Sequence, residues 1–141
     1  KGITKVVVDA MGGDNAPHEI IKGAVEAVGK SDAIHVILVG KEDVINQELP
    51  GTHIIKNRFR LFIHRKVIET AEPPVMAIRR KKDSSIVVGL KMVKDKEADA
   101  FVSAGSSGAV LAGGQLLVGR IKGVERPPLA PLFRQKKDFP F

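Results

Sequence analysis

The chain has 141 residues, 43% of them hydrophobic and 28% charged, which is the length and balance of one globular domain and excludes a disordered segment. Having no cysteine, it excludes a disulfide framework, a thiolate zinc site and a cysteine nucleophile. Its 23 Lys and Arg against 16 Asp and Glu leave a net charge of +7, which favours phosphate, anionic lipid, nucleic acid or an acidic protein as partner. Nucleic acid is the weakest of these, because Trp and Tyr are absent and only six Phe are available for base stacking. The longest nearly uncharged stretch, Ala98 to Gly119, carries five glycines and three serines and makes a poor membrane span. Asp9 and Asp14 bracket a glycine pair where a signal peptide would need an apolar run, so a cytoplasmic location is expected.

Ile3 to Val8 is a β-branched run suited to a strand buried on both faces. It breaks at Asp9-Ala10-Met11-Gly12-Gly13-Asp14-Asn15-Ala16-Pro17, and Ile20, Ile21, Ala24, Val25 and Val28 then fall at helical spacing, with Gly29 as the expected stop. A second strand is predicted over Ile34 to Val39, a short helix over Glu42 to Glu48, and a third strand over Arg60 to His64. Pro73-Pro74 introduces a long predicted helix, Val75 to Lys94. A strand from Asp99 to Ser103 and an apolar helix from Ala109 to Val118 follow. This alternation predicts an α/β fold of three layers, α/β/α, with a doubly wound, mostly parallel sheet. The last eight residues, Arg134 to Phe141, have neither period; without them the net charge falls from +7 to +5.

Ligands of such sheets bind beyond the carboxyl ends of the strands. Two strand-to-helix turns there are rich in glycine and small polar residues. In the first, Gly12 and Gly13 allow close backbone approach, and Asp9, Asp14 and Asn15 can order the loop, hold a metal or repel an anion; a tight turn with an Asp cap is the plain alternative. The second is Ser103-Ala104-Gly105-Ser106-Ser107-Gly108, whose hydroxyls and amides suit an anion, with simple N-capping as the alternative. No base for a serine nucleophile is visible, which favours binding over covalent catalysis. Arg79, Arg80, Lys81 and Lys82, followed by Asp83-Ser84-Ser85, offer a phosphate grip or a solvated helical face. The four histidines have no metal-ligand spacing; His64, at a predicted strand end, is the one weak acid–base candidate.

The strings VVVDAMGGDNAP (Val6 to Pro17), AIRRKKDSS (Ala77 to Ser85), ADAFVSAGSSGAVLAGG (Ala98 to Gly114) and GRIKGVERPPLAP (Gly119 to Pro131) closely resemble the PlsX family of bacterial phosphate acyltransferases, in order and from about Ile3 to Phe133. The resemblance implies transfer of a fatty acyl group from acyl-acyl-carrier protein to inorganic phosphate, in phospholipid synthesis. It also implies the fold of phosphotransacetylases and isocitrate dehydrogenases, a homodimer, peripheral membrane association and no organic cofactor. Phosphate and substrate binding are carried onto the three segments above. The family usually has Asn-Thr where this chain has Ser106-Ser107, and an acid near the histidine that His64-Arg65-Lys66-Val67-Ile68 lacks. Family members are much longer and continue differently after Phe133, so residues 1–133 read as the front part of the domain. The tail 134–141 then reads as atypical and out of frame. Such a truncation exposes an apolar sheet edge, which predicts concentration-dependent association. A non-catalytic fragment that binds phosphate or carrier protein, and a phosphotransacetylase-like acyl-CoA enzyme, remain the alternatives.

Overall fold

The computed structural model describes residues 2–49, 59–63 (main chain only), 66–69 and 71–128. His53, His64 and the tail 134–141 lie outside the described residues. Four strands, β1 (Thr4–Asp9), β2 (Ile34–Gly40), β3 (Phe59–Ile63) and β4 (Ala100–Val102), form one parallel sheet in the order β3-β2-β1-β4. Val6 is the hinge of the register, level with Val36 on one side and Ala100 on the other. The expected α/β class with a parallel sheet is what the chain builds.

Strand alternation sorts the core. Val36 and Leu38 join Ile21, Ala24 and Val28 of α1 (His18–Lys30) and Ile45 of α2 (Glu42–Glu48). Their neighbours Val7, Ile37 and Val39 turn the other way and pack with Met92 of α4 (Ser85–Lys94) and with Ala98. Side chains on successive residues point to opposite faces, so these continuous apolar runs are covered twice. A third cluster joins α3 (Pro74–Arg80), α4 and α5 (Ser107–Gly113) through Ile78, Ile86, Leu90 and Ala109. The chain steps from β1 to β2 to β3 in one direction and returns past both to β4. Crossovers of a single hand then put α1 and α2 on one face and α4 on the other.

Several boundaries differ from expectation. The helix predicted over Val75 to Lys94 is two helices, because Ser84 adopts an extended conformation and its hydroxyl accepts the Val87 N–H at 3.4 Å. A serine cap therefore starts a new helix inside an apparently continuous apolar pattern. Gly29 does not stop α1, which runs on to Lys30. β4 is shorter than the Asp99 to Ser103 run. The helix expected from Ala109 starts at Ser107, and its end widens into a π-helical turn over Gly114–Val118, closed by the Gly119 N–H on the Gly114 carbonyl at 2.9 Å. No helix among the described residues is long and apolar enough to cross a membrane.

Candidate functional site

In the order β3-β2-β1-β4 the strand order reverses between β1 and β4, and ligands of such sheets ordinarily bind at that switch point, beyond the carboxyl edge. Both glycine-rich turns are there, and the structure fastens them together. Asp9, the last residue of β1, is buried. Its Oδ1 accepts the Met11 N–H at 3.1 Å, and its Oδ2 accepts the Ser103 hydroxyl at 2.8 Å. The Ser103 Oγ in turn accepts the Gly105 N–H at 3.0 Å.

Gly12 closes over this chain of bonds. A Cβ on it would stand 2.6 Å from Asp9 Oδ2, 2.8 Å from Ser103 Oγ and 2.9 Å from the Gly105 nitrogen. Gly13 has φ +106° and lies against Ala104, a conformation and a space that only glycine fits comfortably. Asp14 and Asn15 are exposed. The plain alternative of an Asp cap does not hold, since Pro17 occupies the cap position of α1 and no side chain caps it. Among the described residues no group of three or more His, Asp or Glu is placed to hold a metal ion.

The second turn divides its residues between structure and solvent. Ser106 is buried as the cap of α5, its hydroxyl accepting the Ala109 N–H at 3.2 Å, so simple capping accounts for it. Gly108 lies where a Cβ would meet Pro74 at 2.8 Å, seating α5 on the start of α3. Ser107 is exposed. With Ser103 and Gly105 it lines a groove of about 700 Å³. Leu90, Phe101, Val110, Val118 and Ile121 line it as well, beside Gln115 and Arg120.

The basic segment divides between solvent and pairing. Only Arg79 and Arg80 are helical, exposed in the last turn of α3. Lys82 is exposed beyond it. Lys81 Nζ is occupied, bonded to the Val67 carbonyl at 2.7 Å and to Glu72 Oε1 at 2.5 Å. Lys66 pairs with Asp83 at 3.1 Å. Ser84 is consumed as the cap of α4, and Ser85, also buried, carries a hydroxyl with no partner among the described residues. Pro74, the first residue of α3, faces Gly108 of the second turn, whereas Arg79 and Arg80 are the last two residues of that helix, so the basic run starts at its far end.

The Lys81 ammonium bonded to Glu72 holds that carboxyl below its ordinary value of 4.5, helped by the Glu69 N–H at 2.7 Å. The stabilisation is therefore complete above about pH 4.5 and disappears as pH falls through the lowered value. Acid titration is expected to release the Glu69 amide from exchange protection before the chain unfolds. Glu72→Gln should abolish that early step; a step that persists in the variant assigns it to another group.

The fastening of Asp9 to Ser103 was invisible in the sequence, where 94 residues separate them. It also supplies what the sequence lacked, an oxygen base on a serine hydroxyl. A carboxylate whose two oxygens are both engaged is nonetheless better suited to orienting that hydroxyl than to activating it.

Residues 4–139 match the model of a family described as fatty acid synthesis protein. A phosphate acyltransferase of Alkaliphilus oremlandii is 53% identical over 133 residues, covering 94% of this chain and 39% of that relative. Those of Clostridium novyi and Clostridium tetani are 52% and 48% identical over 132 residues, each match covering 94% of this chain and 40% of the relative. The chain thus spans about two fifths of the length of the curated relatives it matches. With a family match that runs through nearly all of it, this chain belongs to the fatty acid synthesis protein family.

Proposed function

We propose that the protein of which this chain forms a part transfers a fatty acyl group from acyl-acyl-carrier protein to inorganic phosphate, releasing acyl phosphate and free carrier protein. The observation that carries this reading is the pair of glycine turns fastened by Asp9 and Ser103 at the sheet's switch point. The name phosphate acyltransferase borne by relatives about half identical to this chain supports it. In that reaction a phosphate oxygen attacks the thioester carbonyl, the C–S bond breaks and the thiol leaves with a proton. Rate comes mainly from holding phosphate in line and from donors aimed at the developing oxyanion. The fastened turns and the exposed Ser107 suit that task, and no covalent enzyme intermediate is needed. We further propose the three-layer fold of phosphotransacetylases for the complete protein, which acts as a homodimer at the cytoplasmic face of the membrane. The basic surface suits an acidic carrier protein and anionic lipid.

Phosphate titration of the ¹⁵N-labelled chain tests the site. Shifts are expected at the Gly12, Gly13, Gly105 and Ser107 amides; shifts confined to Arg79–Lys82 would overturn it. Thiol release tests the reaction. Phosphate-dependent release from acyl-carrier protein is expected of the complete protein, whereas release from acyl-CoA alone would favour a phosphotransacetylase.

A further inference from the structure

The helices sort their charge by layer. On one face of the sheet α1 balances Lys22 and Lys30 against Glu19 and Glu26, and α2 carries Glu42, Asp43 and Glu48 with no base. On the other face α4 carries Lys91 and Lys94, and α3, packed with it, carries Arg79 and Arg80, with no acid in either helix. Within α3, Ala77 and Ile78 are buried in the cluster shared with α4 and α5. Val75, Met76, Arg79 and Arg80 are exposed and fall within about 140° of the helix circumference, so they form one face. Val75 stands one turn before Arg79 and Met76 one turn before Arg80, and the two apolar side chains are 45% and 43% exposed. The neighbouring acids are engaged elsewhere, Glu72 with Lys81 and Asp83 with Lys66. Among the described residues no carboxylate lies within ion-pair distance of Arg79, Arg80 or Lys82.

We infer that this face of α3 is the docking surface for an acidic protein partner, which lays carboxylates on Arg79, Arg80 and Lys82 and a small apolar patch on Val75 and Met76. In the reaction proposed above the partner of that chemistry is the acyl-carrier protein, so the inference rests on that reading for the partner and on the structure for the surface. The make-up of the face selects a protein. Arginine forks take carboxylates bidentately, and arginine beside exposed methionine is the composition of protein interfaces. A membrane fits poorly, because an interfacial helix sinks its apolar face among lipids, and that face of α3 is already in the core. A second copy fits poorly too, since setting its acidic α2 on α3 is a head-to-tail contact that no two-fold axis closes. The position is also apt. α3 starts with Pro74 against Gly108 of the second turn, and its seven residues extend about 10 Å. A partner seated there is one short helix away from the candidate site, within reach of a flexible arm that carries the substrate.

Carrier protein lacking its prosthetic group is titrated into the 141-residue chain and into the complete protein, so that binding is read with no thioester to transfer. Binding that weakens as salt rises is expected. Arg79→Glu with Arg80→Glu, at exposed positions, should weaken it about tenfold or more, and Val75→Ser with Met76→Ser about threefold. Lys91→Glu with Lys94→Glu makes the same change in net charge on α4 and should alter binding less than about twofold. An equal loss there overturns the inference, because overall charge and not this face would then draw the partner. Absence of binding by both the chain and the complete protein overturns it, as does α3-dependent binding of phosphatidylglycerol vesicles without binding of carrier protein. The proposed reaction is judged separately. A complete protein that binds carrier protein through α3 yet releases no thiol loses the reaction and keeps the surface. Thiol release whose KM for acyl-carrier protein is indifferent to the α3 reversal keeps the reaction and loses the surface.

Discussion

Gly12→Ala is expected to unfasten the candidate site and to cost about 3 kcal/mol of stability, the upper range for forcing a methyl into packed structure while losing a buried hydrogen bond. The added carbon meets Asp9 Oδ2, Ser103 Oγ and the Gly105 nitrogen, all at under 3 Å. None can retreat freely. Asp9 is held by Met11, Ser103 is held by Asp9, and Gly105 is backbone. Urea denaturation reads the loss, and the Met11 and Gly105 amide shifts report whether the two turns have parted. A cost below about 1 kcal/mol with both shifts unmoved would mean that the turns are not rigidly joined. Phosphate-induced shifts should vanish in the same variant.

Gly89→Ala and Gly23→Ala should move stability in opposite directions, although both put alanine inside a helix. Gly89 brings α4 onto the sheet, where a Cβ would stand 2.4 Å from the Phe101 ring and 3.2 Å from Val7. Overpacking of that kind costs about 1–3 kcal/mol, against about 1 kcal/mol gained in helix propensity. Gly23 in α1 has nothing within 4 Å, so only the gain of about 1 kcal/mol applies. Paired thermal melts measure the contrast. Equal effects would mean that Phe101 swings aside at little cost.

Gly89 also shows what a sequence can and cannot disclose. By propensity alone a glycine inside a helix is a weakness; the purpose of this one, close approach to Phe101, depends on a strand that follows the helix. The parallel sheet was legible because β1 and β2 carry continuous β-branched runs, which only a doubly covered sheet accommodates. Both turns were legible because glycine and serine cluster where strands end. The break at Ser84 was signalled by Asp83-Ser84-Ser85 yet outweighed by the apolar spacing around it, and a local cap proved the stronger cue. The work of Lys81 was hidden, since its partner Glu72 lies nine residues back across a turn and a helix. A run of four bases looked uniform; burial and pairing distinguish its members.

The pairing of β1 with β4 carries a consequence for the order of folding. A chain emerging amino end first completes β1, α1 and β2 through contacts about thirty residues apart, while Ser103 has yet to be made. Until β4 docks, Asp9 has no hydroxyl to accept and its carboxylate keeps its water. Closing that long loop is the entropically costly, slow event in a topology of this kind. The candidate site is therefore completed by the late contacts, and a chain stalled before residue 103 lacks the Asp9–Ser103 fastening.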